Sequence, residues 1–174
     1  VHSLELISNG KLDEAINSYE KAINLNPEYV EAHYSISLVF QDLSQFESMT
    51  KHLEKVLTIK PDFVEAHISL GIALKSMDQL EGAALSYQKA ITIKPDYLEA
   101  HNNLGNIFKD LGQLDDAVQS YQKAIAIKSD YPTLHNNLGV ALFELGQLDN
   151  AVSSYKKALA INPDYPDSHN NLGV

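Results

Sequence analysis

Residues 98–131 read LEAHNNLGNIFKDLGQLDDAVQSYQKAIAIKSDY, and the rest of the chain repeats this pattern at an interval of 34 residues. Proline keeps the interval from Pro27 to Pro61 to Pro95, and Ser129 takes the next position. Histidine, glycine and alanine keep it as well. Composition bias does not give several residue types one common period, whereas a linear array of supersecondary units does.

The unit contains two amphipathic segments separated by a glycine. In residues 98–131, apolar or small residues recur at helical spacing before Gly112 and again after it. The residues on these two faces are Leu104, Gly105, Ile107, Phe108 and Leu111, then Leu114, Ala117, Val118, Tyr121, Ala124, Ile125 and Ile127. The pattern predicts a first helix, a turn and a second helix in each repeat.

The proline position sets the expected boundaries of the repeats. We expect a single array over 1–174. It consists of a partial repeat at 1–29, full repeats at 30–63, 64–97, 98–131 and 132–165, and the truncated first helix of a further repeat at 166–174. The chain opens with Val1 and stops inside a repeat, so we expect it to be a piece of a longer protein.

Turn residues follow the same period. Glycine at Gly10, Gly112 and Gly146 suits the left-handed conformation that closes a helix, and Ser44 and Asp78 replace it in two repeats. Proline favours the first position of a helix, where its missing N–H is harmless; Pro132 and Pro166 stand at such positions. The aspartates after each proline position are expected to accept hydrogen bonds at the next helix start: Asp62, Asp96, Asp130 and Asp164.

This set of positions carries a family resemblance. Leu104, Gly105, Phe108, Ala117, Tyr121, Ala124 and the proline position together resemble the tetratricopeptide repeat over nearly the whole chain. The resemblance implies an all-α fold, an alpha-alpha superhelix in which antiparallel helix pairs stack into a right-handed solenoid. First helices would line a concave groove and second helices would face outward. The repeat at 30–63 departs from the pattern, with Ser37 for the glycine and Leu53 for the tyrosine, and we predict that its helices pack differently.

Composition narrows the possible partners. The chain has 174 residues, no cysteine, 13 basic residues that are all lysine, and a net charge of −10. Disulfides and thiolate metal sites are therefore excluded. Nucleic acid is not an expected partner, because an acidic chain lacks the basic footprint that phosphates require. No apolar run reaches the roughly 18 residues of a membrane span, so we expect no membrane partner. The compartment stays open, with the cytoplasm as the default expectation.

Catalytic and cofactor signatures are missing from the sequence. The repeat histidines lie on different helices about 10 Å apart, too far for one zinc ion with bonds of about 2.1 Å. They are His33, His67, His101, His135 and His169, and we expect each to fill the seam beside its helix. The tyrosines Tyr19, Tyr87, Tyr121 and Tyr155 are expected to pack with their hydroxyls at the rim. No serine elbow, phosphate loop or zinc-helix motif occurs. We expect no enzyme activity, no cofactor and no metal.

Asparagines in the first helices are the exception to a packing explanation. Asparagine is a poor helix former, yet it recurs there, and Asn103, Asn137 and Asn171 fall in one row. Each amide offers a donor and an acceptor, as a peptide unit does. A row step of about 10 Å corresponds to about three residues of an extended chain. The candidate peptide-binding groove comprises Asn102, Asn103, Asn106, Lys109, Asn136, Asn137, Val140, Asn170 and Asn171.

The row is similar to the asparagine row of O-linked N-acetylglucosamine transferase superhelices, a resemblance that implies a grip on peptide backbones. Ser35 and Ser69 take the row position in earlier repeats. The groove positions Glu31, Glu65, Glu99 and Asp167 favour neutral or basic segments over acidic ones.

The leading hypothesis is a non-catalytic scaffold that binds an extended peptide or protein segment. Two alternatives stay open: a structural solenoid that associates end to end, and a substrate-recruiting region of a larger transferase. The amides could also simply brace neighbouring helices.

Overall fold

A computed structural model describes residues 11–173, and within them the chain forms ten helices and no strand. The helices are α1 (Lys11–Leu25), α2 (Val30–Asp42), α3 (Phe46–Ile59), α4 (Val64–Ser76), α5 (Leu80–Ile93), α6 (Leu98–Asp110), α7 (Leu114–Ile127), α8 (Pro132–Glu144), α9 (Leu148–Ile161) and α10 (Pro166–Leu172). The expected all-α class is confirmed. The parts of the predicted partial repeat before residue 11, Gly10 included, and Val174 lie outside the described residues.

Three of the predicted repeats, 30–63, 98–131 and 132–165, each form a helix hairpin. Three residues connect α2 to α3, α6 to α7 and α8 to α9, and the helices of each pair pack on one another. So short a connection forces contacting helices of three to four turns to run antiparallel. The chain divides into two compact units, Val1–Gly82 and Ala83–Val174.

The turn after a first helix uses a left-handed residue, as the sequence predicts. Gly112 and Gly146 have φ of 72° and 75°, and Ser44 and Asp78 adopt nearly the same angle, 56° and 60°. Glycine takes this conformation without strain, whereas a side chain costs about 1 to 2 kcal/mol. The turn geometry is therefore kept even where the sequence does not favour it.

The helix starts differ from the expectation in one respect. The residue before each first helix is the aromatic that follows the acidic residue, and no side-chain cap bond forms at α2, α4, α6, α8 or α10. The prediction that Asp62, Asp96, Asp130 and Asp164 cap these helices is wrong, because each aspartate stands one residue too early. Pro132 and Pro166 do occupy the first turn of α8 and α10.

In the first unit, the core lies between α2, α3 and α4. Ile36, Met49, Leu53 and Val56 are completely buried, and Tyr19 of α1 packs against them. Leu53 takes the position that tyrosine holds in later repeats. The different helix packing predicted for 30–63 stays a prediction.

In the second unit, the core uses small residues against tyrosine rings. Tyr121 and Tyr155 are buried among Ala117, Ala141 and Ala151. Small side chains at these positions let the two helices of a pair approach closely. The tyrosine ring then fills the space between them.

Candidate functional site

The candidate asparagines lie on the first helices of the second unit, α6, α8 and α10. On α6, Asn102, Asn103 and Asn106 fall on one face, since 3.6 residues make a turn. His101 and Phe108 lie on the opposite face. The structure thus places the nine predicted groove residues on three successive first helices of one unit.

Hydrogen bonds connect the amides from one repeat to the next. The Nδ2 of Asn137 donates to the Oδ1 of Asn102 at 3.1 Å, and the Nδ2 of Asn171 donates to the Oδ1 of Asn136 at 3.0 Å. In the first unit, the equivalent pair is Tyr34 and Ser69, whose hydroxyl oxygens are 3.5 Å apart. The first asparagine of one repeat therefore holds the second asparagine of the next.

Asn136 is the most enclosed of these residues. It is 6% exposed, and its Oδ1 also accepts a hydrogen bond of 3.0 Å from the hydroxyl of Ser168, which is completely buried. A buried oxygen that accepts two bonds braces the adjacent repeat. Asn102, by contrast, is half-buried.

Asn103 and Asn137 differ in how many of their amide groups are used. Both are half-buried. Asn137 donates one N–H and keeps its second N–H and its Oδ1. Within the described residues, Asn103 makes no side-chain hydrogen bond. Asn171 is exposed and retains the same groups as Asn137.

Asn106 accepts a hydrogen bond from a core tyrosine. The hydroxyl of Tyr121 donates to its Oδ1 at 2.8 Å, and Tyr121 is fully buried. Burial raises the pKa of the Tyr121 hydroxyl well above its usual value, and the charges of Asp110 and Glu144 add to the rise. The expectation that this hydroxyl lies at the rim is wrong, because Tyr121 is completely buried. The hydroxyl instead has the hydrogen-bond partner that a buried polar group requires, Asn106. The spacing of Asn106 and Tyr121 in the sequence gives no signal for this bond.

The remaining candidates surround the amides. Lys109 pairs with the neighbouring Asp110 at 3.1 Å. Val140 is half-buried against the core of the second unit, and Asn170 is exposed. None of the three has a buried polar atom in need of a partner in the described part of the chain.

Comparison with known families decides the identity of the repeat. A family model described as TPR repeat matches residues 4–44, 74–112, 105–146 and 141–174, and a model described as Tetratricopeptide repeat matches residues 30–63. The chain belongs to the tetratricopeptide repeat family. No curated protein shows a sequence match to it.

Solved tetratricopeptide structures share this fold. A crystal structure of MamA is 28% identical, with a TM-score of 0.86 over 89% of this chain and 91% of MamA. TTC0263, a thermophilic TPR protein in Thermus thermophilus, is 24% identical, with a TM-score of 0.70 over 98% of this chain and 93% of that one. YrrB, described as a TPR protein with an unusual peptide-binding site, is 22% identical, with a TM-score of 0.85 over 97% and 87%.

The regular spacing of histidine and proline has a structural explanation in these tetratricopeptide repeats. The Nε2 of each repeat histidine lies 2.7 to 3.1 Å from the backbone carbonyl oxygen six residues earlier, in the turn between repeats. His67 and His101, for example, reach the carbonyls of Pro61 and Pro95 at 2.8 Å. A carbonyl only accepts, so Nε2 carries the proton. The histidine joins its first helix to the preceding turn, which confirms its expected place in the seam.

Two further properties of residues 11–173 concern other kinds of site. No group of three or more histidine, aspartate or glutamate side chains converges there on a metal position. No helix there has the length and apolar character needed to cross a membrane. The fold and the family match support a protein-interaction scaffold.

Proposed function

We propose that this chain is a non-catalytic scaffold that binds an extended peptide segment along the asparagine row of its first helices. The observation that carries the proposal is the hydrogen bond from Asn137 to Asn102. It fixes the orientation of the Asn137 amide and leaves one N–H and the Oδ1 to bind a ligand. A fixed amide loses little conformational freedom when a peptide binds, which favours affinity.

The proposed contacts are a subset of the predicted groove residues. Asn103, Asn137 and Asn171 would contact the peptide backbone, one per repeat, about every third residue of an extended chain at roughly 3.3 Å per residue. Asn102 would hold Asn137 in position, and Asn136 would hold Asn171. Since backbone groups are the same in every residue, this arrangement predicts weak sequence preference.

Charge sets the expected preference among peptides. Glu99 and Asp167 are exposed on α6 and α10, and the chain carries a net charge of −10. Neutral or basic segments are therefore favoured over acidic ones, and added salt should weaken the binding of basic segments.

A peptide selected from a random library against this chain tests the proposal. Fluorescence anisotropy would compare the original chain with the double variant N103A N137A, which should bind about 30-fold more weakly if each of the two amide bonds contributes about 1 kcal/mol. The matched control is Q113A Q122A, which removes two exposed amides, one just before α7 and one on it, that line neither proposed site. Unchanged affinity in N103A N137A, or an equal loss in the control, would contradict the proposal.

Backbone chemistry offers a second test. N-methylation of the peptide removes one donor at a time, and binding should fall at about every third position. If affinity instead depends on the side chains of the peptide and is unchanged by N-methylation, the peptide is recognised through its side chains and the proposal is wrong.

Self-association is the second candidate function, and one observation favours it. Phe143 and Leu148 are 58% and 56% exposed, on either side of the turn between α8 and α9. Large exposed apolar side chains close together often mark protein contacts. Light scattering over a concentration series would show association of the original chain and its loss in F143S L148S.

The resemblance to the transferase superhelix stays a hypothesis about a larger protein, and its test is whether the full reading frame encodes a catalytic domain.

A further inference from the structure

The repeat at 30–63 contains a pair of histidines that later repeats lack. The Nδ1 of His33 in α2 lies 3.0 Å from the Nδ1 of His52 in α3. The imidazole of His52 also stacks on Phe40, with ring centroids 5.6 Å apart and planes at 23°. One imidazole ring is therefore held between a histidine nitrogen and an aromatic face.

The direction of the bond between the two histidines follows from the other nitrogen of His33. Its Nε2 lies 3.1 Å from the carbonyl oxygen of Pro27 and must carry the proton. The Nδ1 of neutral His33 is then an acceptor, and the Nδ1–H of His52 donates to it. In this repeat, the histidine of the first helix accepts an N–H from an aromatic ring.

The repeat at 98–131 keeps the acceptor and the aromatic face but not the ring between them. His101 and Phe108 stand at the positions of His33 and Phe40, two repeats further on, whereas Ser120 stands in place of His52. His101 is 5% exposed, and its Nε2 donates to the carbonyl of Pro95 at 2.8 Å. Its Nδ1 has no partner in the described residues. Every fully buried side-chain nitrogen or oxygen in the described residues has a hydrogen-bond partner. Because the Nδ1 of His101 has none, it is not fully buried and is accessible to solvent.

A cavity lies where the missing ring would be. It has a volume of about 290 Å³, and its lining includes His101, Phe108 and Ser120, with Leu104 beside them. One water occupies roughly 30 Å³ in the liquid, so the cavity admits a ring. Ser120 does not fill the donor role, because its hydroxyl donates to the backbone oxygen of Asp116 at 2.8 Å.

We propose that this cavity binds the imidazole ring of a histidine side chain from a partner protein. The ring would stack on Phe108 and donate its N–H to the Nδ1 of His101, as His52 does to His33. The wall residues Gln88 and Gln119 offer donors and acceptors to the backbone on either side of that histidine, and the hydroxyl oxygen of Thr92 offers an acceptor. These groups favour a peptide over a free ring. The cavity lies on the face of α6 opposite the asparagine row, so the two sites are independent.

Imidazole and a short peptide are the probes for the first experiment. In the ¹⁵N-labelled chain, the Nδ1 resonance of His101 should shift and saturate as imidazole is added, while that of His135 should not, because Leu142 replaces the aromatic there. The peptide acetyl-Gly-Gly-His-Gly-Gly-amide should bind more tightly than imidazole, and about fivefold more tightly than the same peptide with phenylalanine, which lacks the N–H. No response of His101 would overturn the proposal. Imidazole binding equal to or tighter than peptide binding would overturn the assignment to a partner side chain.

Variants copied from the other repeats give matched controls. S120H rebuilds the pair of repeat 30–63 and should abolish binding, and F108L copies Leu142 and should weaken it about two- to tenfold. L142F should make His135 respond. N103A N137A should leave the response intact, which separates this site from the proposed groove. If S120H does not fold, F108L and L142F still decide the outcome, and unchanged binding in both would contradict the proposal.

Discussion

Gly105 lies against the ring of Tyr121 so closely that a Cβ at position 105 would stand 2.6 Å from the Cε1 of the tyrosine. The next repeat has the same arrangement, with 2.5 Å between a Cβ at Gly139 and the Cε1 of Tyr155. Both tyrosines are buried, so their rings have little room to move. The glycine is required by the tyrosine of the neighbouring helix.

Alanine at position 105 should therefore destabilise the chain. We expect G105A to lower the free energy of unfolding by about 1 to 3 kcal/mol, the usual cost of overpacking, although alanine is the better helix former. Urea unfolding followed by circular dichroism measures this change. An unchanged or raised midpoint would mean that the helices separate without cost.

A paired substitution should recover part of that loss. The repeat at 30–63 combines Ser37 with Leu53 at these two positions, a larger residue facing a smaller one. We expect the double variant G105S Y121L to be more stable than the sum of its single variants predicts, by about 0.5 to 3 kcal/mol. Strict additivity in the double-mutant cycle would show that the two positions are not coupled.

The hairpin turns offer a stabilising change. Ser44 has a positive φ of 56°, so S44G should raise the free energy of unfolding by about 0.5 to 1 kcal/mol. D78G should gain less, since aspartate tolerates this conformation better. G112A, the reverse change, should lose about 1 kcal/mol. Thermal unfolding of the three variants checks the order, and a gain for G112A would contradict it.

Asn136 should matter more for stability than Asn137. N136A leaves the buried hydroxyl of Ser168 without its acceptor, and we expect a loss of about 1 to 3 kcal/mol. N137A removes one bond from a half-buried amide and should cost about 1 kcal/mol or less. Denaturant titration compares them, and a larger loss for N137A would reverse the assigned roles of brace and contact residue.

The contact between His33 and His52 should make the stability of the chain depend on pH. Burial lowers the pKa of His52 to about 4, and His33 and Lys51 add to the shift. Between pH 6.5 and 4, His52 binds a proton in the unfolded chain but not in the folded chain. The contribution of His52 to the free energy of unfolding is therefore fully present above pH 6.5 and is lost as the pH drops toward 4. H52S should make this fall shallower. Urea midpoints across this range, compared with H67S as a control, would show it, and parallel curves for the original chain and H52S would contradict it.

Much of the fold could be predicted because one period organises the local chemistry. The helix pattern, the turn glycines Gly112 and Gly146 and the first-turn prolines depend on residues close together in sequence, and their predictions are confirmed. The capping role of Asp62 and its equivalents was wrong by one residue, because the aromatic that follows takes the capping position. Boundaries of this kind depend on backbone angles that composition does not specify.

The candidate site was predictable only as a set of residues. Recurring asparagines in the first helices could be noticed from sequence, but the sequence did not distinguish Asn136, which accepts two bonds while buried, from Asn137, which keeps free amide groups. The bond from Tyr121 to Asn106 was also missed. That Ser120 stands where repeat 30–63 has His52 can be seen from the repeat spacing, but only the folded structure shows the cavity beside it.

The sequence by itself determined the repeat length, the helix pair in each repeat and the tetratricopeptide family, because periodic apolar residues and turn residues act over a few positions of the chain. Tertiary structure alone decided which amides bond to one another, which tyrosine meets which glycine and which histidine nitrogen is left without a partner. Those relationships join residues 15 to 35 positions apart in the chain. Their geometry depends on how one helix packs on the next.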